Sequence, residues 1–540
     1  MSVHRVVGLE TEFGVLAPSQ PGANSTILSA QVINAYAATV RSGYGHLAGT
    51  RWDYADEAPL ADARGWNMPR AVADASQLTD APRELTAEEI ALAGGDSRAG
   101  ETLYAEEDDG GHVLMNMVLG NGARLYVDHA HPEYSSPETT SPHAAVLYDQ
   151  AGDQVALAAQ RRIAASPGFA EVLLYKNNTD NKGVSYGAHE NYLMPRTTSF
   201  DDIAAGLLPF FATRQVLCGA GRVGLGMTGK TPGFQISQRA DFFEAEVGLE
   251  TTIRRPLVNT RDEPHATWDA YRRLHVIAGD ANLGQVSTLL RVGTTALVLE
   301  LIEAGQAPPL ELRDAVAAVQ QTSHDPTLRT TVELADGRRM TALEIQQAYL
   351  DAARIHCDRT GADDPATTDV LVRWQDTLDT LARDVSAARR TVDWVAKLEL
   401  MNRYRDRDGL AWDDHRLAMM DLQWADLRPE KGLYHRLAAR GLVETLFTAE
   451  QIQAAVADPP EDTRAYFRGR CLTAYPEDVR GASWDAVTFS VPGRAGTQRI
   501  ATPEPLRGTR ELVGPLFDAG LDVGAFVDEL RRGGPRPTGR

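Results

Sequence analysis

GLETEFG, residues 8–14, lies within RVVGLETEFGVL, a run in which apolar and polar residues alternate. Successive side chains of a strand point to opposite faces, so Glu10 and Glu12 project together while Leu9, Thr11 and Phe13 take the other side. Two neighbouring carboxylates on one strand face are costly unless water or a cation attends them. The same alternation recurs in ARLYVDH, residues 123–129, where Arg124, Tyr126 and Asp128 share a face opposite Leu125 and Val127. Just beyond, His131-Pro132-Glu133 adds a carboxylate, and in SYGAHENYL the residues Ser185, Gly187, His189 and Asn191 share a face. Oxygen-rich faces of this kind suit Mg²⁺, which is held by one or two carboxylates, waters and the phosphates of a nucleotide. An arginine beside them would serve the phosphate. Taken singly, each is equally well a solvent-facing polar strand face.

A competing signal is GLGMTGKTPG, residues 224–233, which contains G-x-x-x-x-G-K-T. A P-loop needs a buried strand before the glycines and a helix opening on the Lys and Thr. Here only a short apolar run precedes Gly219, and Pro232 and Gly233 follow Thr231, with glycine a poor residue for a first helical turn. The expectation is a glycine-rich loop, with Lys230 playing no part in nucleotide affinity.

The chain has 540 residues, 43% hydrophobic and 24% charged, enough for one large domain and a smaller one. Its formal charge of −20 argues against a non-specific nucleic-acid binder, which needs a surplus of Lys and Arg. Cys218, Cys357 and Cys471 are too scattered for a disulfide framework or a CxxC metal site. Neither a long apolar run nor a signal-peptide layout is evident, so the expectation is a cytoplasmic protein without membrane partners. Arg254, Arg255, Arg261, Arg272 and Arg273 cluster locally, as solvated charge or an anion-binding patch.

Periodicity predicts a helix over 26–41, strands at EVLLYKN and SYGAHENYL, and a helix at TTALVLELIEAG. A hairpin turning at Asp336-Gly337 comes next, and then a helix capped by Thr341-x-x-Glu344. Strands followed by helix blocks, without regular βαβ alternation, predict an α+β fold with an antiparallel sheet. Residues 43–111, rich in Asp, Glu, Gly and Pro, read as an inserted acidic loop; its 94–111 portion has little to bury. We expect that loop to be mobile at the site entrance, modulating turnover rather than building the site. DPPED at Pro459-Pro460 predicts a division into 1–460 and a small C-terminal domain, 461–540.

GLETEFGV, NGARLYVDHAHPEYSSPE, YKNNTD, SYGAHENYL, GFQISQRADFFE, NTRDEPHA, YRRLHVIAGDANL, DTRAYFRGRC and ASWDAVTF together make the sequence resemble the enzymes that act on Pup, the small ubiquitin-like protein of actinobacteria. The resemblance implies a glutamine-synthetase-like fold, a curved antiparallel sheet cradling ATP (or ADP with phosphate) and Mg²⁺, with a small C-terminal domain. It implies Glu10, Tyr126 and Glu133 at Mg²⁺, with Glu12 beside them, and Asp128 as the catalytic carboxylate. Arg124, Ser136 and Trp484 would contact nucleotide, and His189 is similar to a metal-binding histidine of glutamine synthetases. DHAHPEYSSPE and the long insertion favour the branch that removes Pup over the ligase. That branch deamidates Pup's C-terminal Gln and cleaves Pup from substrate lysines, with nucleotide as a cofactor that is not consumed. The ligase, or a Pup-binding adaptor, is the alternative. Pup and pupylated proteins are the implied partners, docking near Arg239, Arg254, Arg255 and Arg261. Thr267 stands where the family resemblance would lead one to expect an acidic residue.

Overall fold

In a computed structural model the chain is described at residues 2–44, 50–73, 78, 113–180, 184–225 and 232–533. GLETEFG falls on the strand Val7–Glu12, which pairs antiparallel with His131–Ser135 on one side and Ala188–Pro195 on the other. The sheet continues through Arg124–Asp128 to Asn116–Val118 on one flank and to Tyr271–Val276 on the other, giving six strands, all antiparallel. Alternation decides its two faces. Val7, Leu9, Tyr192, Leu274 and Val276 enter a core built with the helices Phe200–Cys218 and Gln285–Glu303. Phe13, Leu125 and Tyr134 enter a second core with Ser25–Tyr44 and Pro142–Ala165. The opposite face keeps the charges. Gln285–Glu303 is long and apolar enough to cross a membrane, but it is buried almost throughout as a core helix.

Local chemistry fixes several elements as the sequence predicts. Gly337, at φ 86°, turns the hairpin between Thr331–Glu333 and Arg339–Thr341, a conformation that other residues adopt only under strain. Thr341 Oγ1 then accepts the Glu344 amide at 3.2 Å while Glu344 accepts the Thr341 amide at 2.7 Å, opening the helix Ala342–Thr360 with both halves of a capping box. The flanks of the glycine-rich stretch, Arg222–Leu225 and Pro232–Gln235, pair antiparallel, so it joins two strands and opens no helix. Lys230 lies outside the described residues. SYGAHENYL is a strand only from Ala188; Ser185 makes an isolated bridge to Thr179.

A smaller sheet is formed by Val479–Ala482, Ala486–Ser490 and Thr497–Ala501, and Arg51–Trp52 joins it in parallel beside Val479–Ala482. Trp52 packs in the same cluster as Phe467, Phe489 and Phe526. This corrects in part the reading of 43–111 as an inserted loop that does not help to build the site. Residues 50–73 are a built segment, with a second pairing of Ala61–Asp62 against Trp66–Asn67. The acidic stretch 94–111 lies outside the described residues. Thr267 also finds a role, its hydroxyl donating to Glu504 and tying its loop to the C-terminal part.

Candidate active site

Paired residues of antiparallel strands share a face, so the sheet register sets out the site in rows. Glu10, Ser135 and Arg124 stand in one row; Glu12, Glu133 and Tyr126 stand in the next. Asp128, paired with His131, lies beyond, four residues or about 13 Å along the strand from Arg124. These residues, with His189 opposite Glu10 and Trp484 from the C-terminal part, line one cleft of about 320 Å³. Ser136 does not. Its Oγ accepts the Leu9 amide at 2.9 Å, and it lines a smaller adjoining cavity of about 80 Å³ that shares Glu10, Ser135 and Trp484 with the cleft.

The carboxylates fall into two groups. Glu10 sits with His189 and His275, and Glu12 sits with Asp128 and Glu133; within each group the ligand atoms lie within 4.8 Å of one another. Glu10 has His189 Nδ1 at 3.1 Å and accepts from Asn191 at 2.8 Å. Burial opposes its ionisation, but the His189 hydrogen bond and the charges of His275 and Arg273 outweigh it and hold Glu10 well below the usual carboxylate range. Glu12 is likewise opposed by burial, yet His131, 3.4 Å away, brings it down to about 2.

Glu133 goes the other way. Burial, then the charges of Asp128, Glu10 and Glu12, push it well above the ordinary range, and among the described residues only hydroxyl donors, Tyr126 at 2.7 Å and Ser135 at 3.3 Å, face its Oε1. Burial and Glu133 push the Tyr126 phenol up too, so Tyr126 would meet a cation only as a neutral oxygen.

Asp128 ends its strand at a two-residue turn, and His129 in that turn sits at φ 53°, the left-handed region such a hairpin demands. His129 Nδ1 lies 2.8 Å from Asp128 Oδ2. Burial would lower the imidazole, but Asp128 outweighs it and raises His129 to about 9. Gly187 lets the walls close. A Cβ there would stand 2.3 Å from His189 Nε2 and 2.6 Å from Glu12 Oε1, so any side chain would separate the two.

At the other end Arg124 is buried between aromatic rings, its guanidinium 4.1 Å from the Trp52 centroid and 3.9 Å from that of Tyr126, contacts worth about 1–2 kcal/mol each when desolvated. Glu57 lies 3.9 Å from it and accepts from Trp52 Nε1 at 2.7 Å. Segment 50–73 therefore supplies part of the site wall, against the expectation that it only modulates. Trp484 meets Trp52 edge-on at 5.1 Å and is held from behind by Arg468, which donates to its carbonyl at 2.8 Å. Arg468 and Arg464 both bond the buried Glu138, just past the His131–Ser135 strand. Burial opposes ionisation of Glu138, but the two arginines bring it down to about 2. Sequence reasoning gave no role to Glu57, Glu138, His129 or His275; His129 enters through its chain neighbour Asp128, and the other three through non-local contacts that no spacing announces. Of the arginines expected on a docking groove, Arg239, Arg255 and Arg261 line the cleft, with Arg239 buried in its wall, whereas Arg254 is exposed.

The profile of a family described as Pup-ligase protein matches residues 5–488. The depupylase of Acidothermus cellulolyticus is 52% identical over 98% of this chain and 100% of its own length. The Pup deamidase/depupylase of Mycobacterium tuberculosis is 48% identical over 98% of this chain and 99% of its own. Among solved structures, the complex of the prokaryotic ubiquitin-like protein Pup with its ligase PafA matches 100% of this chain and 99% of that one, with a TM-score of 0.73 and 30% identity. The Pup ligase PafA in complex with ADP matches 75% of this chain and 90% of that one, with a TM-score of 0.67 and 37% identity. The antiparallel sheet and its helical layers are thus the glutamine-synthetase-like α+β fold of those enzymes. With a family profile running from the first strand into the smaller sheet, and relatives that align almost end to end, this chain belongs to the Pup-ligase protein family.

Proposed function

We propose that this chain is a hydrolase of γ-carboxamides, deamidating the C-terminal Gln of Pup to Glu and cleaving the isopeptide bond between Pup and a substrate lysine. The observation that carries the reading is Asp128, grouped with the buried Glu12 and Glu133 and hydrogen-bonded to His129, in a chain whose full-length relatives are a depupylase and a Pup deamidase/depupylase. Attack of an Asp128 oxygen on the γ-carbonyl forms a C–O bond; the C–N bond then breaks, and nitrogen takes a proton to leave as ammonia or as the lysine amine. Water hydrolyses the resulting anhydride and restores Asp128. With Asp128 instead as base for that water, the products are the same. His129 holds the carboxylate against the turn.

Nucleotide is the cofactor, as ATP or as ADP with phosphate, and it is not consumed. Arg124 and Trp484 line the cleft where it would be held, and Ser136 the adjoining cavity. Mg²⁺ fits the oxygen set of Glu12 and Glu133, with Tyr126 as a neutral oxygen, because Glu133 is crowded by buried like charges that a divalent cation would relieve. Glu10 would join through its own group with His189. Bound there, Mg²⁺ would supply electrostatic stabilisation of developing negative charge. The cytoplasm as its compartment, and a division of the chain near 460/461, belong to the same proposal.

The test is incubation with Pup ending in Gln, nucleotide and Mg²⁺, reading ammonia and the mass of Pup. Ammonia release with nucleotide intact supports the hydrolase. Nucleotide consumption with Pup joined to a lysine would make the chain a ligase, and binding without either product would make it an adaptor.

A further inference from the structure

Arg499 lies on Thr497–Ala501, an edge strand of the smaller sheet, and is not part of the cleft lining. Its guanidinium is nevertheless committed to two acids of the segment that walls the cleft. Nε donates to Asp53 Oδ2 at 3.2 Å, and Nη2 donates to Asp56. The sheet register shows how residues so far apart in sequence meet: Arg499 pairs with Thr488, Thr488 with Gly481, and Gly481 with Arg51. Paired residues share a face, so Arg499 looks along a row whose middle positions are small. A Cβ at Gly481 would stand 3.4 Å from the Arg51 carbonyl and 4.0 Å from Asp53 Cβ, which puts Asp53 beside the bare position of that row.

Asp53 and Asp56 form the outer side of a turn whose inner side holds Arg124. The Asp53 amide donates to the Ala482 carbonyl at 2.9 Å, where the parallel ladder stops. Asp53 Oδ1 then accepts the Ala55 amide at 3.0 Å, and the Glu57 amide donates to the Tyr54 carbonyl at 3.1 Å. On the inner side Tyr54 Oη accepts from Asn116 at 2.9 Å and from Arg124 Nη2 at 3.5 Å, while Asn116 Oδ1 accepts Arg124 Nε at 3.1 Å and Glu57 stands 3.9 Å from the same guanidinium. An isolated exposed ion pair contributes little, but one planar fork that bridges both acids of a turn restricts the turn as a whole. We infer that Arg499 is a positioning residue: from the C-terminal part of the chain it clamps the turn 53–57, and through Tyr54 and Glu57 it fixes the guanidinium of Arg124. The consequence for nucleotide rests on the reading of Arg124 as a nucleotide contact.

ADP affinity is measured by calorimetry with Mg²⁺ on the wild type, Arg499→Ala, Arg499→Lys, the pair Asp53→Asn with Asp56→Asn, and that pair combined with Arg499→Ala. Arg499→Ala should weaken ADP about fivefold, the upper range for an exposed pair, with Arg499→Lys recovering part of the loss. The acid pair should lose as much, and adding Arg499→Ala to it should cost nothing more, since both remove one interaction. At saturating nucleotide kcat should stay within about twofold of wild type, so the effect falls on nucleotide KM. Hydrogen exchange at the amides of residues 54–57 should be about fivefold faster in Arg499→Ala. ADP affinity unchanged in Arg499→Ala, losses that add in the combined variant, or equal exchange rates would each overturn the proposal. If Arg124→Ala leaves ADP affinity unchanged, the nucleotide reading of that end fails, and exchange alone decides whether Arg499 holds the turn. Should Arg499→Ala not fold, Arg499→Lys and Asp56→Asn carry the comparison.

Discussion

The two carboxylate groups of the cleft stand one row apart and differ in what neutralises them. Glu10 faces two imidazoles, an amide and Arg273, and it stays ionised despite burial. Glu12, Asp128 and Glu133 mostly face one another; His131 and His129 answer two of them, and Glu133 is left with hydroxyls and a raised pKa. The first group is electrostatically complete as folded. The second leaves Glu133 crowded by like charges that the proposed cation would relieve, and it is the group that includes Asp128, the carboxylate proposed to react.

The most severe break in that contrast is Asp128→Asn. Turnover of both bonds should fall by at least about 10⁴-fold while nucleotide still binds, measured by ammonia release and by calorimetry. Activity within tenfold of wild type would remove Asp128 from the chemistry. In the same variant an NMR titration should find His129 back from about 9 to near or below the ordinary histidine value of about 6.5, since burial is then opposed by far less negative charge. Next comes Glu133→Gln, which should weaken Mg²⁺ by about 10–100-fold in the dependence of activity on metal concentration. Trp52→Ala, which strips one ring from Arg124, should cost about tenfold in ADP affinity, and an unchanged Kd would disconnect segment 50–73 from the nucleotide end.

A smaller effect, but one whose sign is diagnostic, lies in stability against pH. Glu133 is raised in the folded chain, so the folded form holds a proton that the unfolded chain gives up near pH 4.5. Its contribution is present below that pH and is lost as pH rises through the folded pKa. Asp153, raised by burial to about 7 near Lys176, adds a loss of the same sign. In a metal chelator the melting temperature should therefore fall between pH 5 and 8. Mg²⁺ or Glu133→Gln should flatten the slope to the part owed to the other raised groups, Asp153 and His129, whereas Glu10→Gln should lower the melting temperature, because it removes the carboxylate that His189 Nδ1 meets at 3.1 Å. Equal slopes with and without Mg²⁺ would count against the cation. At the bottom of the scale, Lys230→Ala should change ADP affinity by less than about twofold.

How much of this could be read from sequence depended on how local the cause is. Alternation along two strands was enough to place Glu10 with Glu12, and Arg124 with Tyr126 and Asp128, because the pleat has a fixed period. The Asp336-Gly337 turn and the Thr341 cap were legible for the same reason, each being settled within four residues. The split of the carboxylates into two groups was not. It follows from register between strands more than a hundred residues apart, which sets His189 across from Glu10 and Glu133 across from Glu12. Glu138 had no signal at all, since nothing near it in the chain foretells that Arg464 and Arg468 will close over it. The insertion misled through composition: an acidic, Gly-rich run concealed that its opening residues are a strand with Trp52 in a hydrophobic cluster.

That short strand bears on how the enzyme is made. Thr50 donates to the carbonyl of Val479, 429 positions further along the chain, and Trp52 and Trp484 pack together at the Arg124 end of the cleft. A ribosome releases Glu10, Glu12, Asp128 and Glu133 within the first quarter of the 540 residues, but the wall that holds Arg124 cannot assemble until Trp484, about nine-tenths of the way along, has been made. A chain cut before Val479 is therefore expected to keep the carboxylate strands and to lack the wall beside Arg124.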